Sequence, residues 1–143
     1  MKKETEVSYG VIPLRHEADT WQIFLIRNIN GDHWGFPKGK PQGNESHKDA
    51  ALRELKEETG LLPVKFLFDD FLVEDYHFYR NHAEVEKKVY YYLVEVTGDI
   101  VLQKEEISDG RWFSFKEAYS KITFDESKFI FTKVQELMRN IHN

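Results

Sequence analysis

One short helix restricts the folds open to this chain more than any other feature of its sequence. Ser46 can cap the helix N-terminus, and Asp49 follows at the spacing of a capping box, with Asp in place of Glu. Gly60 suits the left-handed position just beyond a helix end. We therefore predict a helix over residues 46–59 with a defined start and end. One stripe of it is apolar and should face a core: Ala51, Leu52 and Leu55.

The same predicted helix carries glutamates on one side. Glu54, Glu57 and Glu58 stand at positions i, i+3 and i+4, which fall within one narrow arc. Like charges at this spacing destabilise a helix by roughly 0.2–0.5 kcal/mol per pair. The spacing alone leaves two interpretations open. The glutamates form either a solvated acidic face or a site for a hard cation such as Mg²⁺, which takes oxygen ligands and offsets the repulsion.

The rest of the sequence predicts an α/β fold with a mixed sheet, because strand segments both precede and follow the helices. Residues 28–45 hold four Gly, two Pro and three Asn, which predicts a loop over most of their length. Residues 116–119 predict a short helix, and residues 126–139 a longer one. Segments rich in β-formers predict strands at 6–15, 21–28, 64–76, 87–96 and 110–115, the first two joined through 16–20.

Composition narrows the class of protein. The 143 residues suit a single domain over 1–143, and the absence of cysteine excludes disulfides and thiolate metal sites. The N-terminal segment is charged, and no stretch approaches the roughly 18 apolar residues of a membrane helix. We therefore expect a cytoplasmic monomer without membrane contact. A net charge of −5 argues against long nucleic acid as a partner, although metal ions allow an acidic protein to bind polyphosphate.

Residues 39–61 resemble the Nudix box, G-x5-E-x7-R-E-U-x-E-E-x-G-U, in which U is a bulky aliphatic residue. Every specified position matches: Gly39, Glu45, Arg53, Glu54, Leu55, Glu57, Glu58, Gly60 and Leu61. The resemblance implies the Nudix fold, a mixed sheet sandwiched between helices in an α/β/α arrangement. It also implies hydrolysis of a nucleoside diphosphate linked to another group. The implied cofactor is Mg²⁺ or Mn²⁺, and the implied partner is a small nucleotide substrate.

The resemblance assigns roles to residues of the box. Glu54, Glu57 and Glu58 correspond to metal-ligating carboxylates. Arg53 should orient one of them, and Glu57 stands four residues further along the helix. Glu45 should support the loop and the helix by hydrogen bonds rather than ligate a metal. Gly39 should allow a turn of the backbone, and Gly60 should end the helix. Leu55 and Leu61 should pack in the core.

The segments on both sides of the box resemble asymmetric diadenosine tetraphosphate hydrolases of the animal and bacterial type. Before the box, "DHWGFPKGK" provides His33 and Lys38 as candidate phosphate contacts. Trp34 in the same segment is expected to pack in the core. Further on, Lys87 in "KKVYYYLVEV" matches a lysine that can contact the phosphate chain.

Further candidates lie in the second half of the chain. Glu106, six residues before Trp112, matches a loop glutamate that can bind metal or act as a base, and a shift of register would put Glu105 there instead. Tyr76 and Phe124 are candidates for stacking on adenine. The segment "YRNHAEVE", which follows Tyr76 closely, looks longer than the corresponding loop in some members of that hydrolase family.

Several functions remain open. The first is asymmetric hydrolysis of dinucleoside polyphosphates, giving ATP and AMP from diadenosine tetraphosphate. The second is a Nudix enzyme that acts on RNA 5′ ends, diphosphoinositol polyphosphates or damaged nucleotides, and the acidic charge argues mildly against RNA. The third is a binding or regulatory module without catalysis. Such modules usually lose box carboxylates, whereas this chain has all of them. A purely structural acidic helix does not explain the full match.

Overall fold

The computed structural model describes residues 2–31 and 33–141, so Asp32 of the predicted loop and the residues beyond Ile141 lie outside the described part. No helix in the described part is long and apolar enough to cross a membrane. In chain order the elements are β1 (Lys2–Glu17), β2 (Thr20–Asn28), β3 (Trp34–Gly35), β4 (Lys38–Gly39), α1 (His47–Thr59), β5 (Leu62–Phe66), β6 (Leu72–Arg80), β7 (Ala83–Thr97), β8 (Ile107–Ser114), α2 (Phe115–Lys121) and α3 (Asp125–Arg139).

The strands form one mixed sheet in which β1 and β7 are the central pair. They run parallel to each other, from Lys2 opposite Ala83 to Leu14 opposite Glu95. The other pairings are antiparallel: β2 pairs with β1, β3 and β8, β4 pairs with β1, and β5 and β6 both pair with β7. The prediction of a mixed sheet is therefore confirmed. The two-residue strands β3 and β4 lie inside the predicted loop, which is otherwise irregular.

Alternate residues of the central strands supply two hydrophobic cores, one on each face of the sheet. On one face, Ile12 and Leu93 pack in a core that includes residues of α2 and α3. On the other face, Val11 and Val94 pack in a core that includes Leu55 of α1. All of these side chains are fully buried. Helices therefore cover both faces of the sheet, as the α/β/α expectation requires.

The predicted box helix forms α1 with the expected ends. The Ser46 hydroxyl accepts a hydrogen bond of 3.1 Å from the Asp49 backbone N–H. At the other end, Gly60 adopts a φ of 79°, and its N–H donates to the Lys56 carbonyl. A two-way capping box is formed at α2, where Ser114 and Glu117 exchange hydrogen bonds. The sequence of α1 therefore fixes where the helix stops and where its glutamates lie.

One predicted strand differs from the structure. The strand predicted over 64–76 is two strands, β5 and β6, separated by the non-strand residues 67–71. The interruption includes Asp69 and Asp70, residue types that are depleted in strands. In the "YRNHAEVE" segment, Asn81 and His82 form a two-residue turn with positive φ between β6 and β7.

Candidate active site

Arg53 is the centre of a hydrogen-bonded network in the box. Its Nε donates to Glu45 at 2.7 Å, and its Nη1 donates to Glu54 and Glu57, both at 3.0 Å. Its Nη2 donates to the Lys40 carbonyl at 3.0 Å. The hydrogen bond with Glu45, the largest cause, raises the pKa of the guanidinium above its ordinary value. Arg53 thus reaches the predicted Glu57 and also holds two further carboxylates, and Glu45 makes the hydrogen bonds expected of it.

Gly39 lies against the Glu54 carboxylate. A Cβ atom built on residue 39 would overlap the carboxyl group of Glu54. Glycine is therefore the residue that allows the loop strand β4 to approach α1 this closely. The requirement at this position is space, since no positive φ is found there.

Glu58 is a buried carboxyl group at the C-terminal end of α1. Its residue is only 5% exposed, and its Oε1 accepts a hydrogen bond of 3.2 Å from the Lys38 backbone N–H. Burial, reinforced by the negative charge of Glu54, raises the pKa of Glu58 to about 8. Burial also raises the pKa of Glu54. Glu106 adds a repulsive charge to both groups, which places Glu106 within electrostatic reach of the box.

The segment that carries Glu106 is attached to the end of α1. The Val101 N–H donates to the Thr59 carbonyl at 2.8 Å, and the Gln103 N–H donates to the Glu58 carbonyl at 3.1 Å. A Cβ atom on Gly60 would come within 2.9 Å of Val101. Gly60 therefore ends the helix and also leaves room for this segment to pack.

The donor set of the box suits a hard divalent cation. All candidate ligand atoms are carboxylate oxygens, which Mg²⁺ and Mn²⁺ prefer. Their mutual repulsion adds to the larger effect of burial in raising the pKa values of Glu54 and Glu58. Within residues 2–31 and 33–141, a tighter group of ligand atoms, all within 4.8 Å of one another, is formed elsewhere by Asp75, His77 and Glu86 on the β6–β7 hairpin. That group is largely exposed. Nε2 of His77 lies 3.6 Å from a carboxylate oxygen of Glu86, the distance of an ordinary surface pair.

A cavity of about 310 Å³ lies on the side of the sheet covered by α3. Four of the predicted substrate residues line it: His33, Lys38, Tyr76 and Phe124. Its wall is mainly aromatic, and the remaining lining residues are Asn28, Trp34, Gly35, Phe36, Glu74, Phe78, Tyr91, Glu126 and Ser127. The cavity therefore has the size and surface of a site for a flat apolar group with a few polar contacts.

The rings around the cavity differ in exposure. His33 and Phe124 have ring centroids 4.3 Å apart at the cavity edge, and Phe124 is 48% exposed. Trp34 is only 9% exposed and packs edge-on against Phe113, as the core prediction requires, but it also forms part of the cavity wall. Tyr91 faces the cavity, whereas its neighbours on β7 pack on the opposite face of the sheet.

Lys87 does not line the cavity, but it lies close to it. Its Nζ is 3.8 Å from the Glu6 carboxylate, and the side chain is half-buried. Burial lowers the pKa of Lys87, and the next largest cause is the positive charge of Lys38. The structure thus brings the two predicted lysines within electrostatic reach of each other.

Glu74 was not predicted as a site residue. It lines the cavity, is only 6% exposed and accepts a hydrogen bond of 3.1 Å from the Ser127 hydroxyl. It stands two residues before Tyr76 on β6, so alternation along the strand puts both on one face. That alternation is the sequence signal that identifies Glu74 once Tyr76 is chosen.

Comparisons with known proteins agree with this geometry. Over 136 residues, the chain is 29% identical to the mRNA-decapping enzyme subunit 2 of Saccharomyces cerevisiae, covering 90% of this chain and 13% of that protein. It is 41% identical over 54 residues to the RNA pyrophosphohydrolase of Xanthomonas campestris, covering 38% of this chain and 25% of that protein. The chain therefore spans only a small part of these curated relatives.

Solved structures share the fold at low sequence identity. The Ap4A hydrolase of C. elegans, in a binary complex, aligns with a TM-score of 0.74 and 18% identity over 95% of this chain and 99% of that one. The MutT protein of Bacillus halodurans aligns with a TM-score of 0.73 and 20% identity over 90% of this chain and 81% of that one. The family model for the NUDIX domain matches residues 4–133. The chain belongs to the Nudix family.

Proposed function

We propose that this protein is a metal-dependent hydrolase of dinucleoside polyphosphates that cleaves diadenosine tetraphosphate asymmetrically to ATP and AMP. The observation that carries the proposal is the position of Lys38. Lys38 lines the aromatic cavity, and its backbone N–H donates to Glu58 of the box. A nucleoside in the cavity would therefore direct its phosphates past Lys38 toward the carboxylates.

The protein's own groups have distinct tasks in this reaction. Tyr76 and Phe124 hold one base by stacking, which is worth about 1–3 kcal/mol per base. Lys38, Lys87 and His33 contact the phosphate chain. Because this arrangement has no two-fold symmetry, one phosphorus is presented to the box and the middle of a symmetric substrate is not favoured.

The carboxylates Glu54, Glu57, Glu58 and Glu106 would hold Mg²⁺ or Mn²⁺, with Arg53 orienting Glu54 and Glu57. The bound metal supplies neutralisation of phosphate charge and lowers the pKa of a bound water. The remaining work of the protein is positioning and electrostatic stabilisation, which dominate phosphoryl transfer.

A second candidate function is hydrolysis at RNA 5′ ends. It is supported by the two curated relatives, which are named for mRNA decapping and for RNA pyrophosphohydrolysis. The cavity serves this function equally well if it holds the base of the terminal nucleotide or the base of its cap. The acidic charge of −5 does not favour a long RNA path across the surface.

The two candidates are separated by product identity. Purified protein with Mg²⁺ is offered diadenosine tetraphosphate in ¹⁸O-enriched water, and the products are resolved by chromatography and mass spectrometry. We expect ATP and AMP, with the label in only one of them and no turnover in excess EDTA. ADP as the main product contradicts the proposed register. Rapid cleavage of 5′-triphosphate or capped RNA without cleavage of the dinucleotide selects the second function.

A further inference from the structure

Glu74 is a buried carboxyl group in the aromatic cavity whose hydrogen-bonding capacity is only partly used. Its one hydrogen bond within the described residues comes from Ser127 to Oε2. No Lys, Arg or His nitrogen of the described residues lies within 4.0 Å of it. Side-chain polar atoms that are fully buried in the described residues all have partners, so the unpaired Oε1 keeps contact with the cavity space.

A carboxylate in such a place favours a ligand that donates hydrogen bonds to it. Burying an ionised carboxylate without a cation is unfavourable unless donors replace the lost water. An ionised carboxylate has only acceptor atoms, and after the Ser127 bond it can still accept at both oxygens. The aromatic wall around it accepts a flat ring. The site as built therefore takes a planar group with two adjacent N–H donors on one edge.

We propose that Glu74 reads the nucleobase in this cavity and selects guanine over adenine. The Watson–Crick edge of guanine carries the N1–H beside the 2-amino group, and these two donors match the two carboxylate oxygens. Adenine offers its 6-amino donor beside the N1 acceptor, and that acceptor repels a carboxylate oxygen. The inference rests on the proposed function only in that the cavity is taken to hold the base of the substrate; diadenosine tetraphosphate is then still cleaved, but with a lower kcat/KM than the diguanosine compound.

Ser127 is a positioning residue in this arrangement. It lies in the first turn of α3, and its hydroxyl fixes Oε2 of Glu74 from the helix side. The Ser127 bond therefore holds Oε2, while the carboxylate keeps acceptor capacity at both oxygens for the base. Loss of the hydroxyl should weaken the selection between bases and should leave the stacking on the ring intact.

The test measures base preference by binding as well as by turnover. Guanosine, inosine and adenosine 5′-monophosphates are titrated by calorimetry into the wild type and into Glu74→Gln, with Glu136→Gln as the matched control. Glu136 is an exposed glutamate of α3 that does not line the cavity, so its change removes one charge and leaves the buried acceptor untouched. Diguanosine and diadenosine tetraphosphates are compared in the same variants for kcat/KM.

We expect the wild type to prefer guanine about tenfold, the scale of one bidentate contact to a base edge, and inosine to lie between the two. Glu74→Gln should abolish or reverse the preference, because an amide offers one donor and one acceptor, which suits adenine. The control should keep the wild-type preference, and melting curves confirm that each variant is folded.

The outcomes separate this inference from the proposed reaction. Equal affinity for guanine and adenine in the wild type and in Glu74→Gln, or no binding of either nucleotide, overturns the inference even if dinucleotides are cleaved. A Glu74-dependent preference for guanine without cleavage of any dinucleoside polyphosphate supports the inference and rejects the proposed reaction.

Discussion

The carboxylate of Glu54 occupies the space that a side chain at residue 39 would need. Gly39 belongs to β4 and Glu54 to α1, so this contact fixes the distance between the loop before the helix and the acidic face of the helix. Any substitution at residue 39 must move either the strand or the carboxylate. The box glycine is thus explained by steric contact with a candidate metal ligand.

Gly39→Ala should reduce turnover by at least tenfold, because a displaced Glu54 carboxylate disturbs the geometry of the metal ligands. Loss of contacts that orient metal ligands typically lowers metal affinity or activity by roughly 10–100-fold. Mn²⁺ affinity measured by electron paramagnetic resonance should fall with it. Gly43→Ala is the matched control: a Cβ atom there would have no atom of residues 2–31 or 33–141 within 4 Å beyond its chain neighbours, although the φ of 57° adds some backbone strain. Equal activity of both variants would contradict the contact argument.

Arg53→Lys should also be strongly impaired, although it preserves the charge. A lysine ammonium cannot replace a planar fork that reaches Glu45, Glu54, Glu57 and the Lys40 carbonyl together. We expect a loss of roughly 10–100-fold in kcat/KM. Steady-state kinetics over a range of Mg²⁺ concentrations will show whether the loss is recovered at high metal. Full activity of the lysine variant would mean that charge alone suffices.

Glu106→Gln should lower turnover, whereas Glu105→Gln should not. The charge of Glu106 acts on both Glu54 and Glu58, whereas Glu105 matches the loop glutamate only if the register shifts by one residue. The two variants differ by one position on the same segment, so they decide the register of this loop directly. The measurement is kcat at saturating Mg²⁺, and the reverse pattern of losses would reassign the role to Glu105.

Tyr76→Ala should raise KM for dinucleotide substrates by about five- to a hundredfold, with a smaller change in kcat. Stacking on a base contributes about 1–3 kcal/mol and acts on ground and transition states alike. Tyr76→Phe keeps the ring and should bind nearly as the wild type does. An unchanged KM in the alanine variant would show that Tyr76 lines the cavity without touching the substrate.

Glu74→Gln should stabilise the fold, and the gain should grow with pH. Burial, the largest cause, raises the pKa of Glu74 above its ordinary value, which the unfolded chain keeps. Below that value the native and unfolded states bind this proton equally. As pH rises through the folded pKa, the native state holds more protons than the unfolded state, so stability is lost. Urea unfolding from pH 4 to pH 8 measures this difference, with Glu136→Gln, an exposed glutamate of α3, as control; a pH-independent difference would contradict it.

The box could be predicted from the sequence because its information is local. Ser46 and Gly60 fix the ends of α1 through contacts within one or two turns, so the positions of Glu54, Glu57 and Glu58 on one face followed directly. The network of Arg53 was foreseen only in part. Its bonds to Glu57 and Glu54 are local, whereas the bond to the Lys40 carbonyl depends on how the loop folds back.

The substrate side was harder to predict because it depends on strand pairing. The cavity brings together Lys38 from β4, Tyr76 from β6 and Phe124 before α3, and no spacing in the sequence specifies their distances. Glu74 was missed for a similar reason, since a Glu on a strand ordinarily indicates an exposed face. The break at residues 67–71 was missed because β-formers continue on both sides of it.

The parallel pairing of β1 with β7 has a consequence for the kinetics of folding. Each residue of β1 from Lys2 to Leu14 finds its β7 partner about 80 positions further along the chain. Closing so long a loop is entropically unfavourable, and pairings of this kind slow folding. Lys38 and Lys87 can become neighbours only after this closure. A substitution that weakens the central pair, such as Ile12→Ala, should therefore slow refolding if the pair forms in the transition state, and acquisition of nucleotide binding should lag behind formation of the helices.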